Sequence, residues 1–320
     1  MWYRDFPNMR LRPSCICLGT ADFGTAQSEA DSFAQMDFFL EHGGNILDTA
    51  HIYGTWVAGQ NSASEKTIGK WLKSRGNRDA VLIATKGAHP DLGNMAVQRL
   101  SPAEIGRDLD ESLAHLGIDT VDLYWLHRDD PAREVGEIVT TMDNLVKKGK
   151  IRLWGLSNWR CSRFREAVAY SRAHGLSEPA GNQLLWSLAT VNPGSGGDPT
   201  IVAMDGETWE YHRESNTAVM PFTSQARGYF SKLRSGAQMQ DWVRNTYENP
   251  ANLARFERLT ELSARTGVAI EALVVAWLTA QPFLTIPIIS SRNIEQLARS
   301  LAAADLRPDA EARDYLSEGV

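Results

Sequence analysis

The chain has 320 residues, 43% apolar and 22% charged, enough to bury a substantial core in one large domain or two ordinary ones. Lys plus Arg number 33 and Asp plus Glu 39, a net charge of −6 with no basic run, which argues against nucleic acid or an anionic membrane as a partner. No apolar stretch approaches the roughly 20 residues of a membrane span. The start, Met1-Trp2-Tyr3-Arg4-Asp5-Phe6, lacks the pattern of a secretory signal. Cys15, Cys17 and Cys161 form an odd set without a Cys-x-x-Cys, which excludes a disulfide scaffold or zinc finger and suits a reducing, cytoplasmic setting.

Along the chain, short β-branched runs alternate with stretches of helical period. A strand is expected at Cys15–Leu18, then a helical stripe of Phe33, Met36 and Leu40 ending at Gly43-Gly44. After a strand at Asn45–Asp48, Ser62 and Glu65 have capping-box spacing ahead of Ile68, Trp71 and Leu72, with Gly76 as the stop. The strand Val81–Thr85 precedes a second box, Ser101-Pro102-Ala103-Glu104, whose helix carries Ile105, Leu109, Leu113 and Leu116 and stops at Gly117. Strands follow at Val121–Leu126, Ile151–Leu156, Gly181–Leu185, Ala218–Phe222 and Leu284–Ile289. Helical patterns fill 133–148, 160–174, 206–215, 252–266, 270–280 and 293–303.

Short loops cannot return a chain to a parallel neighbour, so this alternation demands a parallel sheet with helical crossovers. Eight such units predict an α/β fold, a single (β/α)8 TIM barrel over residues 1–320 with extended loops at its C-terminal face. A doubly wound open sheet is the runner-up, but Gly19-Thr20-Ala21-Asp22-Phe23-Gly24 lacks the Gly-x-Gly-x-x-Gly spacing. The Gly-rich stretch Pro193–Pro199 lacks the Lys-Ser/Thr of a phosphate loop and reads as a surface loop.

Barrel function collects where strands end. Those ends carry Asp48, with Tyr53 five residues on, Lys86 and His127. Each alone has an ordinary structural reading; together they form a constellation. A buried ammonium needs a partner, which the carboxylate one strand away provides, and a phenol beside that ammonium loses its proton more readily. Such a phenol is a usable general acid. A metal reading fails, because only His127 among these residues is a good transition-metal ligand.

These residues carry a resemblance to the aldo-keto reductase family. Gly43–Gly54, containing Asp48 and Tyr53, resembles that family's motif around its catalytic Asp and Tyr. Thr85-Lys86, Val121–His127 and Gly149–Trp159 resemble its lysine, histidine and nicotinamide-holding segments, and the likeness spans nearly the whole chain. The resemblance implies hydride transfer between NADP(H) and a small-molecule carbonyl or alcohol. Tyr53 would be the proton donor, Lys86 would tune it, Asp48 would hold Lys86, and His127 would orient the carbonyl.

On the cofactor side, the resemblance assigns Ser157, Asn158 and Gln183 to the nicotinamide carboxamide. Phe222, Thr223, Ser224, Gln225 and Arg227 would stack on the nicotinamide and wrap the pyrophosphate, Phe222 standing where Tyr is common. Ser290, Ser291 and Arg292 would meet the 2′-phosphate, Ser290 replacing a frequent Gly. Gln296 fits an adenine contact, and Ser300 stands where Asn is usual. Trp56, His89, Arg128 and Trp159 are the expected substrate-pocket residues, an aromatic wall with donors that suits a sugar or polyol; a hydrophobic carbonyl would use the same tryptophans. Trp125 is expected between barrel and helices, and the loops Leu188–Asp205 and Ser231–Pro250 are expected to cover the site. Two other readings are a nucleotide-sensing regulatory protein with negligible turnover and a barrel lyase or isomerase. Retention of all four catalytic residues counts against the first, and the set Ser157, Asn158 and Gln183 against the second.

Overall fold

In a computed structural model, which describes residues 1–195, 197–307 and 309–319, eight strands all pair in parallel in one curled sheet. They are β1 (Cys17–Gly19), β2 (Ile46–Asp48), β3 (Leu82–Gly87), β4 (Val121–Leu126), β5 (Ile151–Ser157), β6 (Gly181–Gln183), β7 (Ala218–Val219) and β8 (Ile288–Ile289), in the order β7-β6-β5-β4-β3-β2-β1-β8. At the β7 edge, Val219 N–H donates to Leu284 O (2.8 Å), while Ile286 N–H donates to Val219 O and Ile288 N–H to Pro221 O (both 2.9 Å). Gly196, inside the predicted 193–199 loop, lies outside the described residues.

The helices are α1 (Glu29–Glu41), α2 (Ala63–Arg75), α3 (Pro102–Leu116), α4 (Val135–Lys147), α5 (Cys161–His174), α6 (Gly206–Ser215), α7 (Tyr229–Ser235), α8 (Asp241–Tyr247), α9 (Pro250–Thr266), α10 (Ile270–Thr279), α11 (Ile294–Leu301) and α12 (Ala310–Glu318). Helix α3 begins as its sequence requires. The Ser101 side chain accepts from Glu104 N–H, Glu104 reaches back to the Ser101 N–H, and Gly117 closes the other end in the left-handed conformation at φ 65°.

The same spacing at α2 gives no capping box. Ser62 is left-handed (φ 48°), makes no side-chain cap, and donates its hydroxyl to His51 O at 2.7 Å. Glu65 is fully buried, accepting from Thr85 Oγ1 at 2.6 Å with His115 Nδ1 at 3.2 Å, so tertiary partners replace the local cap. Helices α7 and α8 occupy part of the stretch 231–250 expected to be loop, and their buried faces, Tyr229, Phe230, Val243 and Tyr247, join one apolar cluster.

Strand alternation decides which side chains fill the sheet's concave side. Ile46, Leu82, Ala84, Leu123, Ala218, Ile286 and Ile288 form an interior cluster that also contains Trp125. Trp125 therefore faces inward, correcting the expected position between sheet and helices, because it shares strand parity with Leu123 and His127. A Cβ on Gly155 would lie 2.3 Å from the Trp125 ring, so only glycine admits the indole. No single helix among the described residues is long and apolar enough to cross a membrane.

Candidate active site

The parity that buries Ile46, Ala84 and Trp125 also turns Asp48, Lys86 and His127 inward at the C-terminal strand ends. Asp48 pairs in register with Ala84, and Lys86 with Trp125. Lys86 is buried, and its ammonium donates to Asp48 Oδ2 (2.6 Å), Thr49 O (2.8 Å) and Tyr53 Oη (3.0 Å). Three acceptors for three N–H groups satisfy the charge completely. Burial alone would lower the Lys86 pKa, but attraction to Asp48 and Tyr53 outweighs it and holds the ammonium above its ordinary range. Burial pushes the Asp48 carboxyl upward, opposed by Lys86 and by Gln183, whose Nε2 donates to Asp48 Oδ1 at 2.9 Å. With donors on both oxygens, the resting pair is Lys86 ammonium and Asp48 carboxylate.

Tyr53 packs edge-on against His127 and against the half-exposed Trp56, both at 5.9 Å between ring centroids. His127 in turn meets His89 edge-on at 4.7 Å. Burial, reinforced by His89 and Arg128, drives the His127 pKa well below its ordinary value, so the imidazole is neutral. Burial, with Arg128 nearby, lowers His89 to about 4. Its Nδ1 lies 2.6 Å from Pro90 O, which makes Nδ1 the protonated nitrogen of the neutral ring.

Several expected pocket and cofactor residues are engaged by the protein itself. Trp159 is fully buried in the cluster between sheet and helices, its indole N–H donating to Arg128 O, so it packs rather than lining a pocket. Arg128 is also buried, tied to Thr200 Oγ1 (2.7 Å), Asp198 Oδ2 (3.0 Å) and His127 O (2.9 Å). It ties Asp198 and Thr200 to the end of β4 instead of presenting a free donor. Asn158, left-handed at φ 61°, donates from Nδ2 to His127 O and Ser157 Oγ and accepts from Val202 N–H at Oδ1. Gln225 Nε2 donates to Ser300 Oγ, and Ser300 donates to Gln296 O, so the buried Ser300 ties the loop after β7 to α11.

The loop after β7 has an unusual backbone: Thr223, Ala226, Arg227 and Gly228 all lie at positive φ, between 48° and 75°. Ser224 Oγ donates to Pro221 O, and the half-buried Phe222 packs against the interior cluster. Ser290 Oγ contacts Gly19 O, Ser291 O accepts from Gln27, and Gln296 Oε1 accepts from Arg292 N–H. Arg227 lies over the Trp242 ring at 5.8 Å. Lys232, on α7, donates to Arg227 O, and its pKa is lowered by partial burial and then by repulsion from Arg292 and Arg227. Among the described residues these three cations have no carboxylate within ion-pair distance; Glu295, three residues from Arg292 in sequence, holds Arg299 at 2.7 Å. Lys232 was missed in the sequence, where it falls in a stretch read as a covering loop.

The sequence matches the profile described as the Aldo/keto reductase family over residues 15–318. It is 30% identical over 330 residues to the uncharacterized oxidoreductase YrpG of Bacillus subtilis, covering 99% of this chain and 95% of that protein. It is 28% identical to norsolorinic acid reductase stcV of Emericella nidulans (93% of this chain, 76% of the relative). It is 26% identical to an aryl-alcohol dehydrogenase [NADP(+)] of Phanerodontia chrysosporium (93% and 77%). A crystal structure of a thermostable aldo-keto reductase with the inhibitor epalrestat superposes with a TM-score of 0.72 over 99% of both chains, at 20% identity. The chain belongs to the aldo/keto reductase family of oxidoreductases.

Proposed function

We propose that this protein is an NADP(H)-dependent carbonyl reductase built on a closed, single-domain (β/α)8 barrel, with Tyr53 as its proton donor. The observation that carries the reading is the Lys86 ammonium, held simultaneously by Asp48, Thr49 O and Tyr53 Oη at the C-terminal strand ends. Barrel closure is supported by the backbone hydrogen bonds that Val219 exchanges with Leu284 and Ile286 and by the one that Pro221 O accepts from Ile288 N–H.

A nicotinamide cofactor fits the donor set. The Arg227, Lys232 and Arg292 cluster lacks an anionic partner among the described residues and suits a 2′-phosphate. The positive-φ run 226–228 turns successive backbone amides, a conformation suited to anionic oxygens. Ser157 remains a candidate for the carboxamide, as does the Gln183 carbonyl, whose Nε2 is committed to Asp48. Asn158 would have to exchange its Val202 contact to take part. When bound, the reduced cofactor supplies the hydride. Tyr53 then gives its proton to the carbonyl oxygen, the Lys86 ammonium stabilises the phenolate left behind, and neutral His127 orients the carbonyl.

The substrate we propose is an apolar, aromatic carbonyl rather than a sugar. Arg128 and Trp159 are consumed internally. Trp56, Val57, Leu92 and Val97, all exposed, sit on the loops following β2 and β3, and Trp56 packs edge-on against Tyr53. The relatives named for aryl alcohols and norsolorinic acid point the same way. The test is NADPH oxidation on a panel of benzaldehydes, aliphatic ketones and aldoses, with wild type and Tyr53→Phe. Aromatic aldehydes should show the highest kcat/KM, and Tyr53→Phe should lower turnover about 10²-fold. Tight cofactor binding with no turnover on any carbonyl would favour the sensor reading instead.

A further inference from the structure

A cleft of about 840 Å³ opens outside the sheet at the starts of β4 and β5, the end opposite Lys86, between α2 and the end of α3. Three guanidinium groups from separate segments of its wall converge on one carboxylate, the fully buried Asp122. Arg78 Nη2 lies 2.9 Å from Oδ2, and Arg10 Nε and Arg152 Nε lie 3.3 and 3.4 Å from Oδ1. One negative charge cannot balance three positive ones.

Arg10 and Arg78 also donate to the carbonyls of Asp79, Val81 and Thr120, so their charges are fixed in place. Arg152 has only its long Asp122 contact and is 44% exposed, leaving most of its donors free. On the facing wall, α2 presents Lys66, Lys70 and Lys73 at helical spacing. Lys70 is neutralised by Glu29, whereas Lys66 bonds only the neutral Asn61, and Lys73 has no carboxylate within ion-pair distance among the described residues. Against the remaining five cations stand Asp79, Asp119 and Asp122, an excess of two positive charges in a chain of net charge −6. Leu72 and Ile118 add apolar wall.

We propose that this cleft is a binding site for a phosphate dianion, free or as a monoester on a small apolar molecule, with Arg152 and Lys73 as its adaptable donors and Arg10 and Arg78 as fixed charge. A guanidinium fork matches phosphate geometry, and the excess charge matches a dianion. The site is separate from the Arg227, Lys232 and Arg292 cluster and does not depend on the catalytic reading.

The test is calorimetric titration of inorganic phosphate and of phenyl phosphate into protein saturated with NADP⁺, using wild type, Arg152→Gln, Lys73→Gln and, as a control, Arg292→Ala. One phosphate should bind per chain, weakened about tenfold by Arg152→Gln and unaffected by Arg292→Ala. Both cleft residues are exposed, and unchanged urea midpoints would show the variants fold. Tighter binding of phenyl phosphate would assign the cleft to an ester, whereas equal affinity would assign it to free phosphate. No saturable binding, or binding lost in Arg292→Ala but kept in Arg152→Gln, would overturn the proposal.

Discussion

Replacing Lys86 with Met tests the core of the site, because it removes the charge while keeping much of the side-chain volume. In the wild type the ammonium serves Asp48, Thr49 O and Tyr53 Oη within 3.0 Å, and Lys86, Asp48 and Thr49 are all buried. The variant leaves Asp48 as a buried carboxylate with only the Gln183 donor. Breaking a buried pair by deleting one partner costs about 3–5 kcal/mol. The carboxyl can escape part of that cost by taking up a proton, since burial already pushes its pKa upward and the opposing pull of Lys86 is gone. A carboxyl whose folded pKa lies above its unfolded value binds its proton more tightly when folded. The relief is therefore complete below about pH 4 and is lost as pH rises through the folded pKa. Urea unfolding of wild type and Lys86→Met at pH 5 and pH 8 should show the larger deficit at pH 8. NADPH turnover should be nearly abolished, with Asp48→Asn milder because Asp48 acts through Lys86. A stability loss below about 1 kcal/mol with no pH dependence would refute the buried-pair argument. An Asp48→Asn enzyme less active than Lys86→Met, both folded, would refute the order of roles.

Arg292→Ala should weaken NADP(H) by about tenfold or more and leave NAD(H) nearly unchanged, with Lys232→Ala acting in the same direction; equal losses for both cofactors in fluorescence titrations would make these residues structural. Trp159→Ala should cost about 3–5 kcal/mol in urea unfolding, as for a fully buried aromatic, whereas a pocket residue would chiefly raise KM. His89 and His212 have pKa values lowered by burial to about 4, below the unfolded value of 6.5, so the unfolded chain takes up their protons first. Stability should therefore fall as pH drops from about 6.5 to 4, by up to roughly 3 kcal/mol for each histidine, and His89→Phe should flatten that slope.

The sequence by itself determined whatever rests on local periodicity. Strand–helix alternation announced eight parallel strands, and the Ser101–Glu104 box and Gly117 marked both ends of α3, because those signals are satisfied within a few residues of chain. The candidate constellation was legible for the same reason: period-two alternation ties Asp48 to Ile46, Lys86 to Ala84 and His127 to Trp125 on one face. That parity also contained the answer for Trp125, which was read onto the wrong side. Tertiary structure decided the rest. Ser62 and Glu65 have the spacing of a cap, but Thr85 and His115 claim the carboxylate. Arg128 and Trp159 looked available to a substrate until Asp198 and Thr200 engaged the arginine and the cluster between sheet and helices enclosed the indole. Lys232 joined two arginines only because α7 forms where a loop was expected. Asp122 gathered guanidinium groups from residues 10, 78 and 152, which no sequence window spans. A buried polar group must find its partner wherever the fold supplies one, so its role is fixed by distant neighbours rather than by its own segment.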